Sequence, residues 1–220
     1  MRSTELSASL SAVGKQSPFT WIRGLRVNPV VGVLALQGAF AAHAECVASL
    51  GASVLEVRTP EELEHVDALV MPGGESSTMS QLLLSSGLFD AIAQRIANGM
   101  PTFGTCAGMI LLASEVLDGR ADQQSFGAID ISVRRNAFGR QIDSFETAID
   151  TPFGEFHGVF IRAPRIERTG PAVEVLGRLG DEPVLVRQGH VLAASFHPEL
   201  AGDARLHEYF VTTMTTARKV

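Results

Sequence analysis

The sequence predicts one α/β domain with a mainly parallel central sheet and antiparallel additions, and three observations carry that expectation. From Val30 to Val116 short apolar runs alternate with amphipathic stretches, the pattern of buried parallel strands linked by helices. Two of those runs end in turn-forming strings that lead into helical composition, Pro72-Gly73-Gly74 and Gly104-Thr105-Cys106-Ala107-Gly108. The 220 residues, 45% hydrophobic and 19% charged, suit a single sizeable core rather than a disordered chain.

Taken in order, Val30–Leu36 reads as a first buried strand and Phe40–Leu50 as the helix that follows it. Ser53–Val57 is a second strand, Ala68–Met71 a third, and Ser77–Leu84 opens a helix. Pro101–Gly104 is a short strand, and Met109–Val116 has helical composition. Beyond Asp118 the pattern becomes strand-like at Ala128–Val133, Phe145–Ile149, Phe156–Ile161, Val173–Arg178, Pro183–Val186 and Val191–Ser195, before a last helix at Ala204–Thr216. There is no internal repeat and no low-complexity tract, so residues 29–220 form the domain. Residues 1–28 differ, with seven Ser/Thr before Trp21 and four basic residues against the single acid Glu5. They lack the apolar core and small-residue cleavage site of a signal peptide. They are expected to be a disordered or over-long tail rather than a targeting leader, with Val27 as an alternative start.

Composition excludes several classes of function. Lys+Arg number 18 and Asp+Glu 24, a net charge of −6, so no basic field exists to hold a phosphodiester backbone. No apolar run approaches the roughly 20 residues needed to cross a bilayer. Two cysteines, Cys46 and Cys106, make no disulfide framework and no zinc spacing. A reduced, cytoplasmic setting without a zinc site is expected.

The chemistry concentrates at Cys106. A strand, then Gly104-x-Cys106-x-Gly108, then a helix has the form of a nucleophile elbow with sulfur in place of oxygen. The glycines remove β-carbons where the turn forces strand and helix together, and the central residue is presented at the carboxyl end of the sheet. A helix N-terminus favours the thiolate there, and the amide of Ala107 can face an oxyanion. An arbitrary Gly-x-Cys-x-Gly is more often a buried thiol in a turn, and the flanking strand and helix bring the two readings level. His197-Pro198-Glu199, directly after the apolar run Val191–Phe196, shifts the balance: a strand ending in His-x-Glu offers a base for the thiol and a carboxylate to orient it. Pro72-Gly73-Gly74-Glu75-Ser76-Ser77 lacks the phosphate-loop pattern. Its paired glycines instead suit backbone amides that approach a ligand closely, with Gly74 as a second oxyanion donor. Cysteine, histidine, glutamate and amide donors together imply acyl transfer through a thioester.

Gly-Thr-Cys-Ala-Gly at 104–108 with His-Pro-Glu at 197–199 resembles the class I, triad-type glutamine amidotransferases, whose fold is a flavodoxin-like three-layer α/β/α sandwich. Further strings narrow the resemblance to the glutaminase subunits of pyridoxal 5′-phosphate synthase. They are Gly32-Val33-Leu34-Ala35-Leu36-Gln37-Gly38, Pro72-Gly73-Gly74-Glu75-Ser76, Arg135-Asn136-Ala137-Phe138-Gly139-Arg140-Gln141 with Asp143-Ser144-Phe145-Glu146, and Val159-Phe160-Ile161-Arg162-Ala163-Pro164. The resemblance spans about residues 30–215. It implies hydrolysis of L-glutamine to glutamate and ammonia, with ammonia passed to a separate synthase subunit of the PdxS/SNZ type, in an assembly of a synthase dodecamer with up to twelve glutaminase subunits. It implies Cys106 as nucleophile, His197 as general base and acid, and Glu199 as the orienting carboxylate. Gly74, Glu75, Ser76, Arg135, Ile161 and Arg162 would hold glutamine, and Gln37 would lie on the partner-facing loop. No cofactor is implied, since pyridoxal phosphate would be a product of the complex. Ser77 stands where the family string has Thr, and the stretch from Asp150 to His157 is shorter than the family's.

A glutaminase of another biosynthetic pathway is disfavoured by the Leu-Gln-Gly and Arg-Asn-x-Phe-Gly-Arg-Gln strings, and a non-catalytic scaffold by the intact Cys106, His197 and Glu199. His43, His65, His157, His190 and His207 read as surface or packing residues, and Cys46 as a core thiol.

Overall fold

The structure, a computed structural model, describes residues 21–22, 25–26, 28–135 and 144–215. Strands β1 (Trp21–Ile22) and β2 (Leu25–Arg26) pair antiparallel. The remainder of the expected tail and positions 136–143, which include most of the Arg-Asn-Ala-Phe-Gly-Arg-Gln string, lie outside the described residues.

The expected alternation is present from Val30 onward. β3 (Val30–Leu34) leads to α1 (Phe40–Ser49), and β4 (Ser53–Val57) to α2 (Pro60–Glu64). β5 (Ala68–Met71) leads to α3 (Ser76–Ser85) and α4 (Leu88–Ala97), and β6 (Thr102–Thr105) to α5 (Ala107–Leu112). The sequence reading contained neither α2 nor α4. α2 is too short to show a period, but its start is written chemically: the Thr59 hydroxyl accepts the Glu62 N–H and the Glu62 carboxylate accepts the Thr59 N–H, with Pro60 at the first helical position.

The helix expected over Met109–Val116 stops at Leu112. Ala113–Val116 is instead strand β7, because it finds a ladder partner in β8 (Ile129–Arg134), and the Ser114 hydroxyl donates to the Ile131 carbonyl. The remaining strands are β9 (Ser144–Thr151), β10 (Gly154–Ile161), β11 (Arg165–Thr169), β12 (Glu174–Leu179), β13 (Glu182–Gln188) and β14 (Val191–Ala194). Of these, β11 was not expected. The last helix, α6 (Arg205–Tyr209), widens into a π-helical turn over Phe210–Met214.

The main sheet has nine strands in the order β10-β9-β12-β13-β14-β6-β5-β3-β4. Its five strands from β14 to β4 are all parallel, in the order of a flavodoxin-like doubly wound sheet. The other four extend one edge with antiparallel pairing. β11, β8 and β7 form a separate small sheet.

Period-2 alternation divides the core into two layers. Val31, Val33, Ala68 and Val70 pack on one face with Val47 of α1 and Leu206 of α6. Leu34, Leu69 and Met71 pack on the other with residues of α2, α3, α4 and α5. Helices thus cover both faces of the parallel strands, leaving their carboxyl ends as the open edge where ligands bind in this architecture.

Candidate active site

β6 and β14 are parallel neighbours, with Ala193 opposite Gly104 and Ala194 opposite Thr105. One residue beyond this register is Cys106, and three beyond Ala194 is His197, so both leave the sheet at the same edge. The Cys106 N–H donates to the Ala194 carbonyl at 2.8 Å and the His197 N–H to the Val159 carbonyl at 2.8 Å, which pins both backbones.

The elbow is as sharp as the glycine spacing requires. Cys106 has φ +50° and ψ −106°. A β-carbon on Gly104 would stand 2.6 Å from the Gly108 carbonyl carbon, and one on Gly108 would stand 2.1 Å from the Met71 carbonyl oxygen. Among the described residues the non-glycine positive-φ positions are Cys106 and Arg162, and both line one cleft. Such strain persists only where surrounding structure imposes it, and it clusters at functional sites. Ala107 opens α5, so its N–H has no intrahelical acceptor.

His197 and Glu199 are buried, and a 3₁₀ turn over Pro198–Leu200 folds Glu199 back so that its Oε1 lies 2.8 Å from His197 Nδ1. Burial alone would push the His197 pKa down, but its contacts with Cys106 and Glu199 outweigh that and raise it to about 10. The ring is therefore better able to hold a proton than a free imidazole. Burial opposes the charge of Glu199 too, yet the hydrogen bond with His197 and the close approach of His43 hold its carboxyl well below the usual carboxylate range.

The cleft has a volume of ≈330 Å³ and is lined by Cys106, His197, Gly73, Gly74, Arg135 and Arg162, with Glu75, Ser76 and Ile161 at its walls. That falls within the usual size of a small-molecule site. The paired-glycine turn lies directly on the cysteine–histidine pair: a β-carbon on Gly73 would sit 2.4 Å from His197 Cε1 and 3.3 Å from Cys106 Cβ. Glu75 caps α3, accepting from the N–H groups of Ser77 and Thr78. Despite some burial, these bonds and those from the two hydroxyls lower its pKa to about 2. Arg135 is tied to this corner, donating to the Ser77 hydroxyl and the Gln123 side-chain Oε1, each at 2.8 Å, and to Glu75 Oε1 at 3.3 Å. The Ile161 carbonyl lies 3.9 Å from Cys106 Sγ, and Arg162 is exposed at the rim. Gln37 does not line the cleft; its Oε1 accepts the Glu75 N–H at 3.2 Å, bracing the glycine turn from the first loop.

Sequence reasoning did not connect Gln123, Thr105, His43 or His207 to this site. His43 and His207 are fully buried, with His43 Nδ1 2.9 Å from His207 Nε2 and His43 Nε2 3.2 Å from Glu199 Oε2. The available signal was helical spacing: Phe40, His43, Ala44 and Val47 share one stripe of α1, and an imidazole on an apolar stripe needs a polar partner inside. Cys46, expected in the core, is only half-buried, because it lies off that stripe. Its pKa is raised by burial and by the charges of Glu199 and Glu45.

Burial and the neighbouring His43 lower the His207 pKa to about 3, against 6.5 for a free imidazole. Between those values the unfolded chain binds a proton there that the folded chain does not, so stability falls as pH drops from 6.5 towards 3. The slope is at most about 1.4 kcal/mol per pH unit. Denaturant melts of His207→Leu should lose that part of the acid slope; a slope identical to that of the parent chain would show that His207 does not carry it.

A solved glutamine amidotransferase structure matches the chain with a TM-score of 0.80 and 52% sequence identity, covering 84% of this chain and 98% of that one. By fold and by sequence the protein is a glutamine amidotransferase. More narrowly, the model of the SNO glutamine amidotransferase family matches residues 33–216, and the chain belongs to that family. The pyridoxal 5′-phosphate synthase subunit PdxT of Salinispora arenicola is 54% identical over 197 residues, 86% of this chain and 98% of the relative. That of Mycobacteroides abscessus is 56% identical over 187 residues, 84% of this chain and 97% of the relative. Among the described residues no helix is long and apolar enough to cross a membrane.

Proposed function

We propose that the chain hydrolyses L-glutamine to L-glutamate and ammonia and delivers the ammonia to a pyridoxal 5′-phosphate synthase subunit of the PdxS/SNZ type for vitamin B6 biosynthesis. The observation that carries this reading is the strained Cys106 elbow in contact with His197, whose other ring nitrogen is held by a buried carboxylate.

In the first half-reaction the Cys106 sulfur, its proton transferred to His197, attacks the side-chain carboxamide carbon of glutamine. The amide C–N bond breaks as His197 protonates the departing nitrogen, leaving a thioester and ammonia. A water then attacks the thioester carbon, giving one proton to His197. The C–S bond breaks, glutamate leaves, and the proton returns to the thiol. Glu199 keeps the imidazole aligned and stabilises its charged form. The amides of Ala107 and Gly74 serve the oxyanion. Gly74, Glu75, Ser76, Ile161 and Arg162 shape the amino-acid pocket. Arg135 suits the substrate α-carboxylate, and the ionised Glu75 suits its α-ammonium group.

The relatives' names carry the pathway, and the resemblance carries the assembly of a synthase dodecamer with up to twelve glutaminase subunits, the Gln37 loop facing the synthase, in the cytoplasm. Because Gln37 braces the glycine turn, docking near it would align the oxyanion donors by population shift. Glutamate release from L-glutamine, measured on the purified chain with and without a pyridoxal 5′-phosphate synthase subunit, should rise when the subunit is added. Slow release that no synthase subunit changes would overturn both the partner and the activation.

A further inference from the structure

We infer that His43 is a positioning residue for the reaction, holding the outer oxygen of Glu199, and that His207 in turn sets which nitrogen of His43 bears the hydrogen.

Glu199 has two oxygens and a fully buried side chain. Oε1 accepts from His197, while Oε2 has no well-formed hydrogen bond and has His43 Nε2 at 3.2 Å. A carboxylate only accepts, so the His43 nitrogen facing it must carry hydrogen. His207, with its pKa near 3, is neutral and has one N–H to give. If that hydrogen is on Nε2 it donates to His43 Nδ1, 2.9 Å away, and His43 keeps its own hydrogen on Nε2. Every N–H in the chain His207, His43, Glu199 then has an acceptor. Of the four ring nitrogens of the two histidines, the one left unpartnered is His207 Nδ1, a bare lone pair in this assignment. The opposite tautomer of His207 would bury an N–H with no acceptor, the costlier outcome.

The competing reading is that two buried histidines merely satisfy one another. It accounts for the 2.9 Å contact between them, but not for His43 Nε2 lying between Glu199 Oε2 and the hydroxyl of Thr105, 3.2 Å away, in the residue that precedes Cys106. His43 thus bridges α1, the end of β6 and the carboxylate that aims His197. A Glu199 held at one oxygen can rotate, and the imidazole rotates with it. Outer-shell partners that orient a functional side chain typically contribute 10–100-fold to its function in metal sites, and a comparable dependence is expected here.

The inference rests on the glutaminase reading, so the test keeps the two apart. The full chain with its synthase subunit would be assayed as His43→Gln and His43→Asn, with Cys106→Ala alongside. The glutamine side-chain amide reaches the position of imidazole Nε2 and can donate to Glu199. The asparagine amide reaches only the position of Nδ1 and can meet His207 alone. Expected is a kcat about 10–100-fold lower for His43→Asn with KM for glutamine little changed, and recovery of most of that loss in His43→Gln. Alkylation of Cys106 by iodoacetamide, followed on the free chain by peptide mass spectrometry, should need a higher pH in His43→Asn and a near-parental pH in His43→Gln. Full activity in His43→Asn, or equal loss in both variants, would overturn the positioning role. Glutamate release surviving in Cys106→Ala would overturn the reading beneath it.

Discussion

Cys106→Ala lowers glutamate release from glutamine by at least about 10³-fold, measured with the synthase subunit present, and leaves the fold intact. On the proposed mechanism the loss is large because the sulfur is the atom that bonds to the substrate. His197, aligned by Glu199, would then serve only as a base for water, and the amide donors would have only the uncovalent reaction to assist. The fold survives because alanine fits within the volume of cysteine at a position that is 7% exposed. The Cys106 N–H still bonds the Ala194 carbonyl, and alanine bears the +50° φ at a similar cost to cysteine. Because residues that act as a unit are non-additive, adding His197→Ala to Cys106→Ala should cost little more than either alone. Additive losses would mean that the two side chains serve separate steps.

Gly108→Ala is expected to damage the protein severely without touching a reacting atom. In the first turn of a helix, alanine in place of glycine would by itself favour folding by about 1 kcal/mol. Here the added methyl would sit 2.1 Å from the Met71 carbonyl oxygen and 2.9 Å from its carbon. Those are backbone atoms of β5, a central strand whose residues are all buried, so they have nowhere to move. Overpacking of this kind costs about 1–3 kcal/mol where side chains can yield, and more where only backbone can. A destabilisation of about 3 kcal/mol or more is therefore expected, with loss of glutaminase activity in whatever remains folded. Gly189→Ala is the control, since its β-carbon would meet nothing within 4 Å and only its φ of +56° is strained; about 1 kcal/mol is expected there. Equal melting temperatures for the two variants would show that α5 can draw back from β5.

Whatever depends on residues near one another in sequence is legible in the sequence itself. The elbow is five consecutive residues, His197 and Glu199 are two apart, and the parallel strands betray themselves as apolar runs. α4 was also within reach, since Leu88, Ile92 and Ile96 repeat every four residues and all face the core. Its start was masked because Gly87, at φ +73°, separates it from α3 by a turn too short to register as a break. β7 was not legible, because Ala113–Val116 continues the composition of the helix before it and becomes a strand only against β8. The corner that binds Arg135 was legible in part: the arginine stood out, but Gln123 comes from a loop, and nothing local shows that it meets Ser77. His43 was visible as a histidine on an apolar stripe, yet its importance depends on Glu199, more than a hundred and fifty residues away.

The parallel register between β6 and β14 also bears on how the protein comes into being. As the chain is synthesised, β3, β4, β5 and β6 can assemble early, and the elbow with them, while β14 emerges about ninety residues later and takes the place beside β6. Until it does, β6 is an open edge and Cys106 lacks both the Ala194 carbonyl that anchors its backbone and the His197 imidazole beside it. A nascent or truncated chain ending before β14 would carry Cys106 without either neighbour. Reactivity toward electrophiles thus arrives only with completion of the sheet, and gain of Cys106 labelling during refolding would report the final long-range docking step rather than the earlier collapse.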